Sequence, residues 1–204
     1  LADLPAGARI GTGAPRRAAQ LRLLRPDVVP VPVRGNADTR LSRVGSGQLD
    51  AVILGYAGLA RIDRLDAVAE VFEPDEMLPA PGQGALAVEC AAGAAELAAL
   101  LATADDPSSR AAVTAERSVL AALQGGCSAP AGAYAAHTPT TNTLHLQAGV
   151  FDPGGAGAVR AAGSDAAAGA VALGRRVAAE LLRRGAGDYI SVPAARPSDG
   201  GDEQ

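Results

Sequence analysis

Over residues 1–60, short apolar runs alternate with stretches of helical spacing. Ala8-Arg9-Ile10 reads as entry to an element and leads into Gly11-Thr12-Gly13. Residues 16–25 predict a helix with Leu21, Leu23 and Leu24 on or near its inner face, stopped by Pro26. The run 28–33 is β-branched but interrupted by prolines, which predicts a short strand near a sheet edge or terminus. Thr39 can cap a helix to about Gly45, with Leu41 and Val44 three apart. Residues 50–54 are the best buried-strand candidate, and 55–59 turn tightly into a short helix. Strand–helix alternation of this kind argues for an α/β fold with a largely parallel sheet.

The pattern changes further along. Residues 66–79 read as a loop with a short strand around Val71-Phe72, and 79–84 as a stiff Pro/Gly loop. Residues 85–90 read as another strand, and 94–102 and 108–123 as helices, with Ser108 or Ser109 as cap for the second. After Gly125-Gly126-Cys127 come strands at 130–135 and 144–150, a weaker one at 158–162, and a long helix over 166–184 interrupted by Gly169 and Gly174. Three strands and a helix predict a small α+β domain over 124–192, and 193–204 has the composition of a disordered tail. The chain opens on Leu1, not Met, with no signal-like segment, and reads as starting inside a larger domain.

A length of 204 residues suits one large domain or two small ones. Hydrophobic residues are 48%, but 48 residues are alanine and only 2% are aromatic, so large side chains to seal a core are scarce. No apolar run is long enough to predict a membrane span, and two cysteines exclude a disulfide-dense scaffold. The net charge of -4 hides a division. All 18 basic residues are arginine, and residues 1–50 hold eight of them against four aspartates, a net +4. An acidic chain thus carries a basic segment suited to a small polyanion. Nucleic acid fits less well, because stacking aromatics are nearly absent.

Arg16-Arg17, Arg34, Arg40 and Arg43 recur at loop–helix junctions. Guanidinium groups hold carboxylates through parallel hydrogen bonds, and Gly11-Thr12-Gly13 before a helix start offers N–H groups to an anion. Solubilising surface arginine is the competing reading. The segment 33–40 weakens it by gathering arginines, a Gly-Asn turn and a threonine at a strand end, where open α/β sheets bind ligands. Cys127 follows two glycines that leave space around a thiol, so it is either a covalent attachment point or an inert buried cysteine. Neither a CxxC motif nor a cysteine-rich metal site is present. Cys90, ending the 85–90 run, reads as core. A Cys90–Cys127 disulfide is not expected in a cytosolic protein. His137 and His145 read as surface or structural, and Asp50 as structural or electrostatic. Gln83, between Gly82 and Gly84, is either a polar group beside mobile backbone or part of a plain loop.

Taken together, these residues resemble the porphobilinogen deaminase (hydroxymethylbilane synthase) family. The matching pieces are Ile10-Gly11-Thr12 with Pro15-Arg16-Arg17; Val33-Arg34-Gly35-Asn36 with Thr39-Arg40-Leu41; and Asp50 to Leu54 with Ala57-Gly58-Leu59. Leu78 to Ala85, Ala115-Glu116-Arg117 and Gly125-Gly126-Cys127 complete them. They keep the family order over roughly residues 9–135. The resemblance implies a cytoplasmic transferase of tetrapyrrole, porphyrin and heme biosynthesis. Such an enzyme joins four porphobilinogen molecules into linear hydroxymethylbilane and releases ammonia at each addition. It implies a dipyrromethane cofactor attached through Cys127. It implies that Thr12, Gly13, Arg16, Arg17, Arg34 and Arg40 hold cofactor, and that Arg16, Arg34, Arg40 and Gln83 hold substrate. The implied partners are porphobilinogen and the growing polypyrrole, with neither nucleic acid nor membrane, in a protein that is usually monomeric. The implied architecture is a mixed-sheet α/β domain like a periplasmic-binding-protein lobe, plus the small C-terminal α+β domain. Residues 1–80 would form most of domain 2, and 81–123 the return to an incomplete domain 1 with a linking helix.

Two departures from the family pattern stand out. Ala14 replaces the usual serine. The chain is also expected to lack about the first hundred residues of the family, with its catalytic aspartate. No catalytic residue is therefore assigned, the isolated chain is expected to be nearly inactive, and the missing segment would be supplied elsewhere. A non-catalytic anion-binding module and a degenerate deaminase fragment are the competing readings.

Overall fold

A computed structural model describes residues 1–125 and 129–190. Cys127 and the tail residues 193–204 lie outside the described residues. The first half is built on a parallel sheet of β1 (Arg9–Gly11), β2 (Val29–Val31) and β3 (Ala51–Val52), in the order β2-β1-β3. Pro30 fits because β2 is an edge strand, so its missing N–H breaks no ladder. The expected buried strand at 50–54 is instead the opposite edge, two residues long and half-buried.

Helix α1 (Pro15–Leu24) follows β1, α2 (Ala37–Gly45) follows β2, and α3 (Tyr56–Arg61) follows β3. Pro at the first position starts α1, and Arg25 before Pro26 ends it, because the residue before proline resists helical geometry. Leu21 is buried, but Leu24 points to solvent, against the expected inner face. Asn36, not Thr39, caps α2: its Oδ1 accepts from the Thr39 N–H at 2.9 Å and from the Thr39 hydroxyl. The core of this half joins Ala8, Ile10, Leu21, Val28 and Met77.

The second sheet is antiparallel: β4 (Ala131–Thr138), β5 (Thr143–Phe151) and β6 (Ala158–Ala166) in sequence order. All three are longer than the sequence predicts. Helices α5 (Pro107–Ala122) and α6 (Ala170–Arg183) pack on it, and α7 (Gly187–Ile190) ends the described chain. Asp106 caps α5 in place of the expected serines, accepting from the Ser109 N–H at 2.7 Å. Helix α6 begins four residues later than predicted, after a 3₁₀ turn at Ala167–Gly169. Ala115, Val119, Leu146, Val150, Leu173 and Leu181 lie at the centre of the main core.

The segment 84–105 departs most from expectation. No strand forms at 85–90, nor around Val71-Phe72. Leu86 is 79% exposed and Val88 69%, and Cys90 is exposed, not in the core. Helix α4 (Ala95–Leu101) buries no residue. A short apolar run does not by itself distinguish a strand from an extended segment without a sheet partner. Among the described residues, no helix is long and apolar enough to cross a membrane.

Candidate anion site at the strand exits

All three parallel strands run the same way, so the chain leaves them on one side. Thr12-Gly13 follows β1, Val33-Arg34 follows β2 and Ile53-Leu54 follows β3. These exits are laced together. Thr12 N–H donates to the Val31 carbonyl at 2.9 Å, and Ile53 N–H to the Gly11 carbonyl at 3.0 Å. Gly13 is required here: a Cβ would sit 2.8 Å from the Val33 carbonyl oxygen. Thr12 is buried, and its Oγ1 accepts from the Ala14 N–H at 3.3 Å. Ala14 gives α1 no side-chain cap, and its first turn holds no acid, so the positive end of the helix dipole faces the exits.

Three of the expected arginines, Arg16, Arg17 and Arg40, gather at this end to different depths, and Arg34 follows β2 as an exposed residue. Arg16 is 6% exposed; its guanidinium donates to the Leu78 carbonyl and, through Nη2, to Gln83 Oε1 at 3.4 Å. Burial, and then the charge of Arg17, pull its pKa down to about 10. Arg17 is half-buried and donates to the Ile53 carbonyl at 3.1 Å. Burial and the neighbouring Arg40 charge lower its pKa too. Arg40 Nε donates to the Gly35 carbonyl at 2.9 Å, and Arg34 stands exposed at the rim. Among the described residues, none of Arg16, Arg17, Arg34 and Arg40 pairs with a carboxylate, whereas Arg9, Arg25, Arg64, Arg110, Arg176, Arg183 and Arg184 all do. Like charges gathered without counter-charge are costly until an anion arrives. The arrangement is therefore suited to bind a polycarboxylate through forked donors.

Gln83 joins this group through Arg16, while its Oε1 also accepts from Ala80 N–H at 3.2 Å. Arg43 makes no side-chain hydrogen bond or ion pair among the described residues. His137 and His145 lie in the other half, bonded to Ser108 and Asn142 and to Ser164 respectively. Asp50 Oδ2 accepts the Arg9 N–H at 2.6 Å, a structural role.

Two polar residues escaped the sequence reading. Gln20 is 1% exposed and Glu116 5%. Gln20 holds Leu78 at both its N–H and its carbonyl. Glu116 accepts from Gly82 N–H at 2.6 Å and Ala135 N–H at 2.8 Å. Burial raises its pKa, and the two backbone donors oppose the shift. The signal available was a polar side chain within the buried stripe of a helix: Ala115, Glu116 and Val119 in α5, and Arg16, Ala19 and Gln20 in α1.

Comparison with known proteins identifies the family. Residues 1–99 match the family "Porphobilinogen deaminase, dipyromethane cofactor binding domain", and residues 110–183 match "Porphobilinogen deaminase, C-terminal domain". The chain is 54% identical over 197 residues to a porphobilinogen deaminase of Acidothermus cellulolyticus, covering 95% of this chain and 59% of that protein. It is 52% identical to that of Thermobifida fusca, covering 95% and 63%. For that of Mycolicibacterium paratuberculosis the values are 49%, 98% and 66%. The chain thus spans about three-fifths of the length of these relatives.

The first match corrects an expectation. The cofactor binding domain is present at the start of this chain, matched over residues 1–99. With both family domains matched in order and about half of all positions identical to its relatives, the chain belongs to the porphobilinogen deaminase family of transferases.

Proposed function

We propose that this chain carries out the head-to-tail joining of four porphobilinogen molecules into linear hydroxymethylbilane, releasing ammonia at each addition, in the cytoplasm. The observation that carries this reading is the arginine group at the strand exits, four guanidiniums without a carboxylate partner among the described residues. Each pyrrole bears an acetate and a propionate, so a lengthening chain accumulates negative charge that only fixed cations can relieve in a partly desolvated site.

The residues fit a dipyrromethane. Its carboxylates suit Arg17 and Arg40, whose remaining N–H donors are free to fork, with Thr12 and Gly13 at the helix start and Arg34 at the rim. When bound through Cys127 as a thioether, the dipyrromethane supplies the primer on which the product grows. Arg16 is the most buried of the four, so its direction is set by the protein before any ligand arrives. With Arg34, Arg40 and Gln83, it is assigned to the carboxylates of incoming porphobilinogen.

Intact mass of the chain after incubation with porphobilinogen tests the attachment. Wild type is expected to gain the mass of a dipyrromethane and Cys127→Ala to gain none. Equal added mass on both overturns the assignment. Reversible binding without added mass on either would favour a non-catalytic anion-binding module.

A further inference from the structure

Residues 78–83 cross from one half of the molecule to the other, and every polar anchor along them is buried or specific. Leu78 is held by Gln20 and packs with Ala19 and Phe151. The Pro79 carbonyl accepts from Ala133 N–H at 3.1 Å, and Gly132 leaves room for the crossing, since a Cβ there would lie 2.7 Å from Leu78 Cβ. Gly82 has φ +80, a left-handed conformation, and its N–H points into the Glu116 carboxylate. Glu116 has no cationic partner among the described residues. Its two oxygens are divided between the crossing segment and β4. A buried carboxylate without a counter-charge is expensive. Here two backbone donors compensate it, and they pin Gly82 at a fixed place relative to the antiparallel sheet.

We propose that Glu116 is a positioning residue for the anion site: by holding the Gly82 N–H it fixes Gln83 beside the Arg16 guanidinium, so the α5–β4 half sets the direction of an arginine in the parallel-sheet half. The inference rests on the proposed role of Arg16 toward pyrrole carboxylates. Gln83 follows Gly82 directly, and its Oε1 is shared between Arg16 Nη2 and Ala80 N–H. Gln has one acceptor oxygen where Glu has two. Glu116→Gln therefore turns an amide donor toward one of the two backbone N–H groups and releases one anchor.

Two readouts on the full chain test this. The first needs no ligand: the Arg16 Nε–Hε and Gln83 side-chain amide NMR signals are expected to move in Glu116→Gln while the remaining spectrum keeps its dispersion. Unchanged Arg16 and Gln83 signals, with shifts confined to the Gly82 and Ala135 amides, would overturn the proposal. The second is porphobilinogen affinity. Glu116→Gln is expected to weaken it by roughly tenfold, the worth of one charge-assisted hydrogen bond, and to have little further effect in a Gln83→Ala background. An undiminished loss in that background also overturns it. If wild type binds no porphobilinogen, the functional reading fails, and the NMR arm still decides the positioning. If Glu116→Gln does not fold, Glu116→Asp, too short to span both N–H groups, is expected to move the same two signals, and their constancy in it counts against the proposal.

Discussion

Gln20 and Leu78 exchange hydrogen bonds in both directions: Leu78 N–H donates to Gln20 Oε1 at 2.8 Å, and Gln20 Nε2 donates to the Leu78 carbonyl at 3.2 Å. Neither group reaches water. Gln20→Leu keeps the volume but leaves the Leu78 N–H without an acceptor, which costs about 1–3 kcal/mol. Urea unfolding of the two proteins should show that loss; equal midpoints and slopes would mean that the segment finds another partner.

Gly174 on α6 faces α5 so closely that a Cβ would meet the Ala115 carbonyl oxygen and lie 2.5 Å from Ser118 Cβ. Glycine in a helix is ordinarily a weakness. Here it permits the contact between the two helices that cover the antiparallel sheet. Gly174→Ala should therefore destabilise the chain by about 1–3 kcal/mol, as overpacking does. Gly45→Ala should do the reverse. Gly45 ends α2 with nothing within 4 Å of its virtual Cβ and without a positive φ, so the substitution should gain about 0.5–1 kcal/mol. Thermal unfolding of both variants checks the opposite signs.

The strands at 131–138 and 143–151 could be read in advance because short runs of apolar and small residues are flanked there by turn residues. The 85–90 run is similarly apolar yet forms no strand, because an apolar run does not state whether a neighbour exists to cover it. The arginine site was readable because charge accumulates at loop–helix junctions. Gln20 and Glu116 were not, since helical periodicity assigns polar residues outward. Only the crossing of residues 78–82 makes an inward carboxylate and amide useful.

Glu116 also has a pH signature. Burial raises its pKa above the ordinary 4.5, so the folded chain holds this proton more tightly than the unfolded chain does. The stability that wild type gains relative to a non-titrating side chain is thus fully present below 4.5 and is lost as pH rises through the folded value. The difference in unfolding free energy, wild type minus Glu116→Gln, should fall as pH rises above 4.5. Groups such as Asp165 and Glu180, whose pKa values their arginine partners lower, titrate in both proteins and cancel. Urea unfolding at several pH values measures the trend, and a difference that grows with pH would contradict it.

Isothermal titration of the chain with porphobilinogen tests the central claim most directly. Wild type should bind, with affinity falling as salt rises. Arg40→Gln should weaken binding by roughly tenfold or more, the loss of one charge-assisted contact. Arg176→Gln, which removes a guanidinium already paired with Asp165, should leave binding unchanged. Equal affinities for wild type and Arg40→Gln, or no binding by wild type, would contradict the account.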